Sequence, residues 1–128
     1  MNIHLICWAR NEADILEAHV RHHLQWATSC SYVLHRPRDN SVAILQQLQD
    51  EGLPVDFRVD ERLFHEQATV MNALMQQAVQ DGADWILPLD ADEFLRGDVS
   101  AELMDAALDC PLQVEWKTYV PLAGHSVS

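Results

Sequence analysis

The apolar positions along this chain change period several times. Residues 2–9 are mostly apolar and read as a strand. From Asn11 to Ala27 the spacing turns helical, with Ile15, Ala18, His19, His22 and Trp26 on one side. Asn11 stands where it can cap this helix, and Glu12 and Asp14 suit its positive end. A second strand is expected at 31–35, followed by a polar loop at 36–41. Val42 to Asp50 reads as a short helix with Ile44, Leu45 and Leu48 on one face and Gly52 as its stop. Val55 to Val59 alternates as a third strand. Glu66 to Gln80 reads as a helix with the stripe Val70, Leu74 and Ala78, stopped by Gly82. A fourth strand spans 84–89. Ser100 caps a short helix from Ala101 to Leu108, Leu112 to Val120 reads as a last strand, and 121–128 has no pattern.

Strands separated by helices in this way imply βαβ units and a largely parallel sheet, an α/β fold in one domain of 128 residues. Right-handed crossovers bring the loops that follow the strands to one sheet edge, where such sheets bind ligands. Arg10-Asn11-Glu12, residues 36–40, Asp60-Glu61-Arg62 and Asp90 to Glu93 are therefore expected to gather there.

Charge narrows the partners. Twenty acidic residues against 8 basic ones give a net charge of −12. Such a domain repels nucleic acid and anionic membrane surfaces, and a phosphate ligand too unless a metal or local arginines reverse the field. No apolar run approaches the ~20 residues that span a bilayer. The first residues lack the basic start and cleavage site of a secretion signal. Cys7, Cys30 and Cys110 are widely spaced and form no C-x-x-C pair, so they are expected to be reduced and buried. These features together point to the cytoplasm.

The candidate chemistry sits at "LPLDADEFL", where the fourth strand runs into Asp90, Asp92 and Glu93. If the strand geometry persists, Asp90 and Asp92 face one way and Glu93 the other. Two such carboxylates repel, and a divalent cation relieves the repulsion. All-oxygen ligands suit Mg²⁺ or Mn²⁺, which keep waters and recruit substrate phosphates to complete the shell. His19 and His23, four residues apart on the first helix, have the spacing of a transition-metal clamp but no third ligand, so packing is the favoured reading. Trp26, Trp85 and Trp116 read as core; Trp8, at a strand end, is the candidate for ligand contact.

The order of "WARNEADI", "DNS" with Ile44-Leu45, and "DWILPLDADEFL" resembles family-2-like glycosyltransferases, over residues 2 to about 120. The resemblance implies the GT-A nucleotide-sugar-binding fold, a Rossmann-like three-layer α/β/α arrangement. It implies transfer of a sugar from a nucleotide-sugar donor to a hydroxyl acceptor with Mn²⁺ or Mg²⁺ at the D-x-D. Asp92 would be the direct metal ligand, and Asp90 would contact the ribose or the metal through water. Trp8, Arg10 and Glu12 would surround the nucleotide, Asp39 would be the last aspartate of the second loop, and Gln67 would line the donor site.

Two departures stand against the family pattern. Leu34 falls where the family has its first loop aspartate, with His35-Arg36-Pro37-Arg38 replacing N-G-S-T, so Arg36 and Arg38 are the residues placed to meet a phosphate. No residue after Phe94 reads as the base that deprotonates an acceptor, so the catalytic base is unassigned. Family members are usually longer, so a part of a larger enzyme is one expectation, and a homo-oligomer covering an exposed edge is another. The alternatives are a nucleotide- or partner-binding domain without catalysis, and a haloacid-dehalogenase-like phosphatase with Asp90 as nucleophile.

Overall fold

A computed structural model describes residues 2–62, 67–97 and 99 of the chain. Its elements alternate: β1 (Ile3–Ala9), α1 (Ala13–His23), β2 (Ser29–His35), α2 (Ser41–Asp50), β3 (Val55–Asp60), α3 (Gln67–Gln80) and β4 (Trp85–Asp90). The expected short helix and strand beyond residue 100, the tail, Glu66, Cys110 and Trp116 lie outside the described residues.

The four strands form one sheet in the order β3-β2-β1-β4, every pair parallel. Parity along the strands sorts the side chains. Leu5 and Cys7 of β1, Cys30, Tyr32 and Leu34 of β2 and Leu89 of β4 share a buried cluster with Leu16 and Val20 of α1 and Leu45 and Leu48 of α2. On the opposite face Ile6 and Val33 meet Leu74 of α3, with Trp8, Val70, Met71 and Ile86 packed against them. The result is a Rossmann-like three-layer α/β arrangement, with two helices on one face and one on the other.

Local chemistry accounts for the ends of these elements. At Gly52, where φ is +90°, the Gly52 N–H donates to the Gln49 carbonyl and the Leu53 N–H to the Leu48 carbonyl. This is the Schellman closure that glycine permits because it has no Cβ to clash in the left-handed region. α1 ends earlier than its periodicity implies, at His23 rather than Ala27. Its last turn tightens: Trp26 N–H donates to the His23 carbonyl at 3.3 Å and Ala27 N–H to the same carbonyl at 2.8 Å. Apolar spacing thus continues through residues that are no longer helical.

Asn11 does not cap α1. It sits at φ +54°, and the N-cap position falls on Glu12, whose side chain makes no capping bond. The missing cap comes from another loop: Asp39 accepts from the Ala13 N–H at 3.1 Å across 26 residues of sequence. The other Asp39 oxygen accepts from the Ser41 N–H at 3.1 Å and from the Ser41 hydroxyl. One carboxylate therefore closes the first turns of both α1 and α2.

β4 forms the outer edge of the sheet among the described residues, and Trp85 N–H donates inward to the Asn2 carbonyl at 3.1 Å. No helix of the described residues is long and apolar enough to cross a membrane.

Candidate functional site

The chain builds the sheet outward from β1 in one direction, then crosses back to lay β4 on the other side. Strand order reverses between β1 and β4, and open α/β sheets bind ligands beyond the carboxyl ends of the strands at such a point. Trp8 pairs in register with Asp90, so the residues after β1 and the acidic turn after β4 are neighbours.

The extended geometry does not persist through that turn. The backbone folds back at once, with the Glu93 N–H donating to the Asp90 carbonyl at 3.0 Å. The Glu93 carboxylate returns the bond, accepting from the Asp90 N–H at 2.7 Å. Glu93 thus holds the turn closed, while Asp90 and Asp92 remain exposed. The D-x-x-E spacing is the one signal in the sequence for this reciprocal bonding, which has the logic of a helix capping box.

These carboxylates crowd one another. Partial burial raises the Glu12 carboxyl above its usual range, and repulsion from Asp92, Asp14, Asp39 and Asp90 raises it further. Glu93 is raised first by burial; its bond from the Asp90 N–H opposes this, and the charges of Asp90 and Asp92 reinforce it. The carboxyl end of β1 and β4 is therefore a concentrated negative region. Among the described residues no three His, Cys, Asp or Glu side chains converge as a closed metal site. An ion here would have Asp90 and Asp92 as oxygen donors and depend on water and ligand for the rest, which fits Mg²⁺ or Mn²⁺ better than a caged zinc.

The neighbouring loops contrast with this acidity. Arg36 closes β2 at φ +45°, and its N–H donates to the Asp60 carbonyl at 2.7 Å. Its Nε is buried and lacks a hydrogen-bond partner among the described residues. Arg38 pairs with Glu61 at 3.3 Å and donates to the Pro37 carbonyl, while its N–H donates to Asn11 Oδ1 at 2.8 Å. The Asn11–Arg38 and Asp39–Ala13 bonds tie the loop after β1 to the loop after β2. A shallow hollow of about 480 Å³ lies at this junction, lined by Asn11, Ala13, Asp14, Asp39, Asn40 and Ile44.

Of the residues singled out from the sequence, Trp8, Glu12, Asp90 and Asp92 come together at the carboxyl ends of β1 and β4. Trp8 is half-buried and stacks on His35, ring centroids 5.3 Å apart and 27° between planes. Arg10 is exposed at the end of β1. Asp39 stands at the β1–β2 loop junction, where burial raises its carboxyl and the bonds from Ser41 and Ala13 outweigh this and lower it. Gln67 begins α3 and is half-buried. Asn72 is exposed beside Met75, Gln76 and Val79 on the outer side of the same helix.

His19 and His23 have other partners than a metal. Their rings lie 4.3 Å apart and tilted, and His19 Nδ1 bonds the Tyr32 hydroxyl at 2.7 Å. Both are fully buried, and desolvation lowers His19 to about 4 and His23 to about 3. Cys7 and Cys30 are free and buried, and desolvation pushes Cys30 up to about 12, which makes it a poor nucleophile. Phe94 escaped the sequence reading. It packs its ring against His19, His22 and His23, a contact between elements about 70 residues apart that no local pattern announces.

No protein-family model matches this chain, and no curated protein matches it.

Proposed function

We propose that this chain is the nucleotide-sugar-binding domain of a metal-dependent sugar transferase, with Asp92 and Asp90 as the carboxylates that hold Mn²⁺ or Mg²⁺. One observation carries the reading: an acidic turn closes β4 directly beside the end of β1, at the point where strand order reverses. Ligands of open α/β sheets bind at such points. The motif resemblance supplies the substrate class.

In this reading Asp92 binds the ion directly, and Asp90 does so directly or through water and the ribose. The bound ion would neutralise charge on the departing diphosphate. Trp8 offers an aromatic face and a fixed orientation through its stack on His35. Arg10 and Glu12 border the nucleotide, and Gln67 lines the donor side. Arg36 is suited to a phosphate, since its guanidinium Nε has no hydrogen-bond partner among the described residues. Glu93 keeps the turn closed. Asp39 holds the two loops that form the floor. The residue that takes the acceptor proton is not among these.

Thermal unfolding with a panel of nucleotides and nucleotide-sugars, each with and without Mn²⁺, tests the reading. A ligand at a hundred times its dissociation constant stabilises the fold by about 2.7 kcal/mol. Wild type is expected to show a metal-dependent gain of this order with at least one diphosphate nucleotide. Asp92→Asn is expected to abolish the gain while leaving the free protein as stable or more so, because it removes one of the crowded charges. A wild type indifferent to every pair of metal and nucleotide sinks the proposal. Tight nucleotide-sugar binding without release of the sugar would instead favour a binding domain that does no catalysis.

A further inference from the structure

We infer that His22 and His23 are positioning residues that fix the acidic turn by seizing both backbone polar groups of Leu95. The inference rests on the reading of that turn as the seat of the ion and diphosphate.

The hydrogen bonds assign a different task to each imidazole. His23 Nδ1 lies 2.8 Å from the His19 carbonyl, one turn back along α1. A carbonyl only accepts, so the His23 proton sits on Nδ1 and leaves Nε2 with a lone pair. Leu95 N–H donates to that lone pair at 3.2 Å. The preceding histidine works in the opposite sense: His22 Nε2 donates to the Leu95 carbonyl. Adjacent side chains of one helix thus supply an acceptor and a donor to a single backbone residue three positions beyond Asp92.

Phe94 completes the arrangement. Its ring stacks on His23 at 5.7 Å and 26° and meets His22 edge-on at 5.3 Å and 69°. Apolar packing alone would be served as well by leucine at either position. What leucine cannot do is satisfy the Leu95 amide and carbonyl, which would then pull toward water and carry the turn with them. Glu93 bonds the turn to itself; among the described residues the histidine pair bonds Leu95, on its far side, to a helix of the core. The groups around the pair are His19 on the same helix, Trp26 just beyond its end, Tyr32 from β2 beyond His19, the Phe94 ring and the backbone of residues 94–95.

Glutamine separates the two roles. In His23→Gln the amide oxygen can accept the Leu95 N–H, and in His22→Gln the amide nitrogen can donate to the Leu95 carbonyl. His23→Leu and His22→Leu keep apolar bulk and lose these bonds. The experiment measures three quantities on the full chain: hydrogen exchange at the Leu95 amide, Mn²⁺ affinity from the paramagnetic resonance of the free ion, and the imidazole ¹⁵N shifts of the wild type. The leucine variants are expected to exchange the Leu95 amide at least ~10-fold faster and to bind Mn²⁺ about 10-fold more weakly, as loss of groups that orient ligands typically does. The glutamine variants are expected to recover both. The wild-type shifts should show His23 neutral with its proton on Nδ1, a measurement that needs no variant to fold.

Unchanged Leu95 exchange in His23→Leu, no recovery with glutamine, or a His23 proton found on Nε2 overturns the inference. A wild type that binds no Mn²⁺, either alone or together with a nucleoside diphosphate, overturns the proposed function instead, and the exchange and ¹⁵N results then decide the histidine clamp on their own.

Discussion

Lowering the pH from 7 to 4.5 is expected to cost this protein about 3–5 kcal/mol of unfolding free energy. The source is the buried pair His19 and His23. Desolvation holds their folded values at about 4 and about 3, against 6.5 for a free imidazole. Between these limits the unfolded chain binds protons that the folded chain refuses. A depressed histidine therefore contributes stability that is intact above pH 6.5 and is lost as the pH falls toward the folded value. Glu12 and Glu93 act in the opposite direction: their folded values are raised, so protonating them favours the fold and offsets part of the loss. The histidines dominate because they are fully buried, whereas the two glutamates are only partly so. Urea unfolding at several pH values between 7 and 4.5 measures the effect directly. Near pH 5 unfolding should take up between one and two protons, and His23→Gln should flatten the curve. Stability constant over this range would show that the imidazoles are not buried as described. A domain whose total stability is typically about 5–15 kcal/mol cannot ignore such a loss.

Replacing Asp39 by alanine is expected to destabilise the fold by roughly 2–3 kcal/mol, about twice the effect of losing a single helix cap. The carboxylate accepts from Ala13 at the start of α1 and from Ser41 at the start of α2, so one substitution uncaps both. Asp39→Asn keeps one acceptor oxygen and should recover about half. Chemical denaturation of the three proteins gives the numbers. The same comparison tells support from contact. If Asp39 serves a nucleotide only by holding the loops, Asp39→Asn should weaken binding in proportion to its loss of stability. If it touches the ligand, binding should fall much further than stability.

Much of the fold was legible because its causes are local. The strands and helices follow the apolar period, and Gly52 and Gly82 mark helix ends where a left-handed residue is required. The stripe Val70, Leu74 and Ala78 was visible too; Leu74 and Ala78 are buried and Val70 packs beside them. What the sequence hid was whatever depends on partners brought close by folding. Asn11 looked like the cap of α1, yet the cap is Asp39, and no window of the sequence contains both ends of that bond. The apolar period runs four residues past the C-terminal end of α1 because Trp26 keeps that period while reaching back to His23, ring centroids 5.4 Å apart. At the candidate site the carboxylates of Asp90 and Asp92 announced themselves by type and spacing. The inward fold of Glu93 did not, because an extended reading of D-x-D-E sends that side chain the other way. The strand order that sets Asp90 opposite Trp8 follows from tertiary packing, not from periodicity.

The outer rim of β4 carries a consequence of its own. With Trp85 donating inward, alternation points the amide positions of Ile86, Pro88 and Asp90 away from β1. Proline has no hydrogen to give, and the Asp90 amide is already engaged by Glu93. Of the three outward positions only Ile86 has a donor left to offer among the described residues. This margin of the described sheet is thus a poor template for strand addition, and the carboxylate that shapes the acidic turn also guards the molecule against edge-to-edge aggregation.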